Sequence, residues 1–551
     1  MIKEKILIII PAFSDNQQLP DQHTRKLDGI TLIQRAINLS QRIARTNNIL
    51  LLTDIEEIEL IAKRNRIQSQ ITRIEEFNSH FISEKMGVNK VAIILRSNNP
   101  LLNKELMCDA FDSMRLGNFD ILVSSRKVKP PKWREDVGSI DELLKSSVLA
   151  GNVIDLKSFV MVKKEAFRRE ITRSKLFSYF LGDNNIEIKS HQDWWICEKL
   201  LQRKRILFVV AGSPSIGMGH IYRSLTLAHE IHDHEIIFMS TEDSGLALKK
   251  ISEKYYQTFH QKDSLTKEVL ALKPDLVIND FLNTSKEYVS SLMRTDIKVV
   301  NFEDFSDGAP ITDLTINELI DEPIYDSKNT VWGSSYLFLR DEFNDAKVHS
   351  FTEKVTTVLI TFGGTDPKNY TLKILEKIYK FCRQKNIEIR IVTGAGYGHK
   401  EELSKFVQKI NYPGIHFTWA TNIMSHVMEE AQIAISSNGR TIYELAHMNI
   451  PAIIVAQNKR EEMHKFSNMQ NGFINLGILN SEDELKLVET NLRKLVEDDD
   501  YRLSQLNKMK RYNFLQNKSK VVHMIMNVLN NSDNKEKKNE PNTVVQQLQA
   551  Q

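Results

Sequence analysis

Along most of the chain, short apolar runs alternate with stretches that carry an apolar residue every third or fourth position. In the first part, KILIII (5–10), NILLLT (48–53), VAIILR (91–96) and FDILVSS (119–125) read as buried strands. Between them, GITLIQRAINLSQRIA (29–44) and IEEIELIAKRN (55–65) have the spacing of helices with one apolar face. This alternation predicts a parallel sheet covered by helices, closed by a helix over QDWWICEKLLQRKR.

A new buried strand, RILFVVAG (205–212), restarts the pattern, which places a domain boundary near Arg203. HEIIFMS (234–240), DLVIND (275–280) and KVVNFED (298–304) continue that block, and a polar stretch near 340–355 ends it. A third block carries TVLITFGGTD (357–366), IEIRIVTGAG (387–396), IHFTWA (415–420), IAISSNG (433–439) and PAIIVAQ (451–457). The expected organisation is α/β throughout: a Rossmann-like domain over 1–203, then two Rossmann-like lobes over 204–350 and 351–530. Ligand is expected in the cleft between the lobes, at the carboxyl ends of the strands. Residues 531–551 are polar, charged and short of core formers, and read as a disordered tail.

With 551 residues, 41% hydrophobic and 26% charged, the chain has the composition of a multidomain globular protein. A net charge of +3 with no basic face argues against nucleic acid as a partner. Three dispersed cysteines, Cys108, Cys197 and Cys382, form no CxxC; this argues against a disulfide framework or structural zinc and points to a reduced, cytoplasmic setting. The opening apolar run stops at a proline without a small-residue cleavage site, and no stretch approaches membrane-spanning length.

Three glycine-marked corners carry the candidate chemistry. In SIGMGHIYRSLTLAHEI (215–231), Gly217 and Gly219 suit a tight turn and close ligand approach. His220 falls in the first helical turn, where the amides and dipole attract anions and favour the neutral imidazole that a general base requires. His220, Arg223 and Leu227 share a face beside the buried stripe of Ile221, Leu225 and Ala228. In the second corner, Gly363 and Gly364 end a strand, Thr365 and Asp366 suit a helix cap, and Pro367 suits the first helical turn. Free amides there are expected to cradle a diphosphate. In the third, Asn438 and Gly439 offer another amide nest, Arg440 a phosphate counter-charge, and Glu444 a carboxylate for a ribose diol. Each corner alone also fits a plain strand-to-helix turn; three in succession favour a nucleotide.

The segments IGMGHIYRSLTLA, FLRDEF (338–343), FGGTDPKN and SSNGRTIYELAHMNIPAIIV make residues 205 to about 528 resemble the UDP-sugar hydrolases of pseudaminic acid biosynthesis. They also resemble SpsG-type spore-coat polysaccharide proteins and, beyond them, MurG-type glycosyltransferases of the GT-B fold. The resemblance implies a GT-B-like pair of lobes that binds a UDP-sugar without metal or cofactor. It implies that His220 activates water, that Gly363, Gly364 and Thr365 contact the diphosphate, and that Asn438, Gly439 and Glu444 contact the nucleotide. Gly217, Gly219 and Arg223 fall in the same substrate-binding loop. One departure stands out: where those hydrolases carry a tyrosine in a DxY-like turn, this chain reads VINDFLNTS, with Asn279, Asp280 and Phe281. Phenylalanine has no hydroxyl, so Asp280 is the candidate for polar chemistry there.

Residues 1 to about 203 resemble acylneuraminate cytidylyltransferases through IIPAF, LDGITLIQRAI, LLLTDIEEIELIAKR, ILRSNNPLL, ILVSSRKVKPPKW and IEIKSHQDWWICEKLL. That family needs an arginine, a lysine and glycines after the proline–alanine to wrap CTP. Here Phe13 stands at the arginine position, followed by Asp15, Asn16, Gln17 and Gln18. The acidic metal motif becomes Glu187, Ile188 and Lys189, which opposes a Mg–triphosphate. The expected function is therefore a nucleotide-sugar enzyme of surface-glycan biosynthesis that hydrolyses a UDP-linked amino-deoxy sugar with His220 as base. Glycosyl transfer from a nucleotide-sugar donor, and residual CMP-sugar synthesis by the first domain, are the alternatives; a non-catalytic sugar-nucleotide binder is a third reading.

Overall fold

In β1 (Ile6–Ala12) successive aliphatic side chains enter two different cores: Ile6, Ile8 and Ile10 pack on one face of the sheet, Leu7 and Ile9 on the other. A strand buried on both faces is what a sheet with helices on each side requires. The computed structural model describes residues 5–14, 19–128, 152–168, 174–182, 185–213, 217–421 and 423–538. They divide into two compact units between Arg203 and Lys204.

In the first unit, β1 is followed by a two-residue hairpin, β2 (Lys26–Leu27) and β3 (Ile30–Thr31). Then come β4 (Ile49–Thr53), β5 (Gln68–Ile71), β6 (Val91–Leu95), β7 (Ile121–Val128), β8 (Asn152–Lys163) and β9 (Leu176–Phe180). The sheet order is β5-β4-β1-β6-β8-β7-β9. The β4, β1 and β6 pairings are parallel, as the alternation predicts, but β8 runs antiparallel to both β6 and β7. The sheet is therefore mixed. The segment that reverses it, NVIDLKSFVMVK, follows a stretch outside the described residues. Asp15 to Gln18 and the KPPKW segment also lie outside the described residues.

The second unit holds two parallel sheets. The first contains β10 (Arg205–Val210), β11 (Glu235–Ser240), β12 (Gln257–His260), β13 (Leu276–Asp280), β14 (Lys298–Phe302), β15 (Leu314–Asn317) and β16 (Thr330–Trp332), in the order β12-β11-β10-β13-β14-β15-β16. The second contains β17 (Thr357–Thr361), β18 (Glu388–Thr393), β19 (Ile415–Trp419), β20 (Ile433–Ser436), β21 (Ala452–Ile454) and β22 (Phe473–Asn475), in the order β19-β18-β17-β20-β21-β22. Both are doubly wound, as expected, and each central strand again alternates between two cores: Phe208 against Leu207, Ile360 against Leu359.

The final helix, Asn517–Lys538, follows the second sheet yet packs on the first. Val521, Ile525 and Leu529, four residues apart, are buried in the same cluster as Ile206 and Phe208. Asn517 Nδ2 donates to the carbonyls of Ser334 (3.2 Å) and Leu337 (2.7 Å) at the helix start. Each buried aliphatic side chain stabilises this return by about 1.5–3 kcal/mol. The helix runs eight residues into the tail read as disordered, because lysine and glutamate are good helix formers; residues 539–551 are outside the described range.

Candidate active site

The cleft between the two sheets of the second unit is built from the carboxyl ends of β10, β13, β14, β17 and β20. After β10 the chain enters the helix Gly219–Glu230 through Gly217, whose φ of +89° suits glycine; residues 214–216 are outside the described range. His220 is the second residue of that helix and only 7% exposed. Its Nδ1 lies 2.6 Å from Asp280 Oδ1 at the end of β13. A carboxylate only accepts, so Nδ1–H donates to Asp280 and Nε2 is left as the basic nitrogen. Arg223 Nη2, 3.1 Å from the same Nδ1, donates instead to Asp280.

Asp280 is fully buried and also accepts from Arg223 Nε (2.9 Å) and Ser224 Oγ (3.0 Å). Burial would raise its carboxyl pKa, but the charges of Arg223 and His220 outweigh that and hold it well below the carboxylate range. Arg223 extends the network to Glu303 and Glu318, each 2.5 Å from Nη1. Glu303 stands just past β14 with a left-handed φ of +50°. Burial pushes its carboxyl up, yet Arg223, His220 and Arg440 together bring it to about 2. Glu318 in turn pairs with Arg440. Burial, then the neighbouring charge of Arg223, lowers Arg440 to about 10, which leaves it a cation at neutral pH. Three carboxylates thus face two guanidiniums in this cluster.

Two cavities meet here. The larger, about 510 Å³, is lined by Thr361, Val392, Trp419, Arg340 and Glu444; the smaller, about 250 Å³, by His220, Glu303, Thr365, Arg460, Glu461 and His464. They share Met218, Gly219, Gly363, Gly364, Arg440 and Thr441.

The expected residues do not all stand in the expected way. Gly363 adopts φ +74°, and the N–H groups of Gly364 and Thr365 donate to nothing among the described residues. Asp366 caps the next helix by accepting from Tyr370 N–H (2.9 Å) and Thr371 N–H (2.8 Å). That helix starts at Tyr370 rather than at Pro367, because Asp366 and Asn369 both take left-handed conformations in the turn. Asn438, expected at the ligand, is fully buried as a brace: its Nδ2 donates to the carbonyls of Glu461 (2.7 Å) and His464 (2.9 Å), and Ser467 Oγ donates to its Oδ1. Its N–H donates to the Glu461 carboxylate at 3.2 Å, so a protein carboxylate already occupies that amide. Gly439 remains at the cavity wall. Arg223, also expected at the substrate, lies at the wall of the larger cavity with its side chain fully buried and paired to Asp280, Glu303 and Glu318. Phe281 packs against Tyr288, and its neighbour Leu282 faces the smaller cavity.

Glu444 lines the larger cavity and accepts from Arg340 Nε (3.1 Å) and Nη2 (3.0 Å). Arg340 lies within FLRDEF, one of the segments that carries the resemblance, but had no role there. Glu303, Glu318, Arg460 and Glu461 were not anticipated. Glu303 was accessible through the rule that ligand groups follow parallel strands; the others gave no local signal.

Residues 357–540 match the glycosyltransferase family 28 C-terminal domain. The chain is similar to an uncharacterized protein of Methanocaldococcus jannaschii, 28% identical over 274 residues, 46% of this chain and 56% of that protein. The chain thus spans little more than half of that relative's length. It is also similar to the spore coat polysaccharide biosynthesis protein SpsG of Bacillus subtilis, 27% identical over 261 residues, 45% of this chain and 75% of that protein. A third relative is the UDP-2,4-diacetamido-2,4,6-trideoxy-beta-L-altropyranose hydrolase of Campylobacter jejuni, 26% identical over 270 residues, 46% of this chain and 93% of that enzyme. The resemblance stated for the second half agrees with these matches. For the first unit, a solved CMP:2-keto-3-deoxy-manno-octonic acid synthetase in complex with CTP is similar at 12% identity and a TM-score of 0.28, over 36% of this chain and 99% of that one. Among the described residues, no helix is long and apolar enough to cross a membrane.

Proposed function

We propose that the second unit is a nucleotide-sugar enzyme of glycan biosynthesis that hydrolyses a UDP-linked sugar to UDP and free sugar. The observation that carries this reading is the Asp280-held imidazole of His220 on the wall of the smaller cavity, next to a larger cavity furnished with Glu444 and free loop amides. In the reaction, His220 Nε2 takes a proton from water as the water oxygen bonds to the anomeric carbon. The bond from that carbon to the phosphate oxygen breaks, and its electron pair leaves with UDP. Asp280 keeps the proton of Nδ1 in place and stabilises the imidazolium as it forms. The amides of Gly364 and Thr365, with Arg440, offset charge on the departing diphosphate. Glu444, aligned by Arg340, accepts the ribose hydroxyls. The similarity to a UDP-diacetamido-sugar hydrolase supports an amino-deoxy sugar as substrate.

The test is UDP release from UDP-diacetamido-trideoxy sugars by the full chain. Wild type releases UDP and His220→Ala does so at least about 100-fold more slowly, the span of general-base catalysis; equal rates refute the assignment. The family 28 match favours transfer to an acceptor as a second reading. Release that depends on an added sugar or lipid acceptor selects it over hydrolysis.

A further inference from the structure

The first unit has a cavity of its own, about 300 Å³, which the reading above leaves unused. In the order β5-β4-β1-β6 the chain winds from β1 through β4 to β5, then crosses to β6 on the other side of β1. The crevice beyond the carboxyl ends of β1 and β6 is therefore a topological switch point, where doubly wound sheets take ligands. Pro11 and Phe13 line it from β1, Arg96 and Asn98 from the end of β6, and Glu187 and Lys189 from the segment before the helix His191–Leu201.

The resemblance of this unit implies a divalent cation with a triphosphate, and these residues do not fit one. Glu187 is the sole carboxylate on the described wall, and both its oxygens are taken. Oε1 accepts from Asn98 Nδ2 and Oε2 pairs with Lys189 Nζ, each at 3.0 Å. A divalent cation needs several oxygen ligands, and an ammonium beside the one carboxylate repels it. No group of three His, Cys, Asp or Glu side chains placed to hold a metal occurs among the described residues. The ammonium is also anchored through its backbone. Ile188 N–H donates to the Asn98 carbonyl (2.7 Å), and Lys189 N–H donates to Asp193 (3.0 Å), which closes the capping box with Ser190.

Two groups in the cavity lack partners. The Arg96 guanidinium makes no hydrogen bond or ion pair with any described residue, and the buried Asn98 Oδ1 receives no donor. With Glu187 and Lys189 paired, the Arg96 guanidinium is a cation on the described wall without a carboxylate partner among the described residues. We propose that this cavity binds a small organic anion without any divalent cation. The anion is the phosphate monoester or carboxylate of a sugar-sized molecule; Arg96 and Lys189 hold its charge, and a ligand hydroxyl or amine meets Asn98 Oδ1.

Titration calorimetry on the full chain in excess chelator tests this, with ribose 5-phosphate and glucuronate as probes that separate the two anion sources. At least one probe binds. Arg96→Ala weakens that binding about 10- to 100-fold, as expected for loss of a hydrogen bond to a charged group. Arg96 is exposed, so the change leaves the core intact. Lys189→Asp sets a second carboxylate beside Glu187, weakens the anion further and introduces Mn²⁺ binding. Failure of both probes, or binding indifferent to Arg96→Ala, overturns the proposal. So does binding of CTP that Arg96→Ala abolishes and that appears in wild type only when Mg²⁺ is added.

Discussion

Replacing Asp280 by asparagine separates the chemistry of the site from its architecture. Asp280 accepts from His220, Arg223 and Ser224, so its loss removes a charge that is fully buried. Orphaning a buried charge costs about 3–5 kcal/mol. Here, however, three carboxylates (Asp280, Glu303, Glu318) face two guanidiniums (Arg223, Arg440), so Asp280→Asn leaves two against two. No guanidinium is stranded, and the cost falls to that of a weakened charge-assisted hydrogen bond, about 1.5–3 kcal/mol. Arg223→Met does the opposite: three carboxylates remain with Arg440 alone, and the stacking of Arg223 on Phe302 (4.8 Å) is lost. That variant falls at or beyond 3–5 kcal/mol. Urea unfolding of the two variants reads the difference directly. Activity should move further than stability for Asp280→Asn. The asparagine amide can donate to Nδ1, which forces the proton onto Nε2 and removes the base, for a loss of about 10³–10⁴ in UDP release at unchanged UDP affinity. If Asp280→Asn destabilises as much as Arg223→Met, the charge count is wrong. If its UDP release matches wild type, His220 is not held for catalysis by Asp280.

Two further outcomes are expected. Glu444→Gln should weaken UDP by about 10-fold while leaving 2′-deoxy-UDP less affected, since a carboxylate that binds a ribose diol loses most when both hydroxyls are present; equal weakening of the two nucleotides in a thermal-shift titration counts against that contact. Burial holds His447 and His464 below the usual 6.5, and burial with the charge of Arg502 does the same for His349. Between each lowered native value and 6.5 the unfolded chain binds more protons than the native one, so these groups withdraw stability as pH falls below about 6.5. In His447→Gln the fall in unfolding free energy from pH 7 to 5 should be shallower than in wild type; an unchanged slope refutes that share.

How much was legible in advance depended on how local the cause was. The central strands of all three sheets stood out because burial on both faces demands uninterrupted aliphatic runs, as in ILIII, ILFVV and VLIT. Edge strands such as QSQI and QTFH did not, because an edge is part-exposed and its composition is mixed. The glycine corners were visible because a left-handed turn leaves few residue choices, as at Gly217 and Gly363.

The chain by itself therefore determined the alternation of strands and helices, the break near Arg203 and the histidine-bearing turn, all set by periodicity and backbone sterics within a few residues. Only the tertiary structure decided which charges meet. Arg223 lies 57 residues from Asp280, 80 from Glu303 and 95 from Glu318 in sequence, and the strand order of the sheet brings them together. It also decided that Asn438 braces the site and that the last helix returns to the first sheet. Long-range electrostatics and packing depend on distances in space, and spacing along the chain does not encode them.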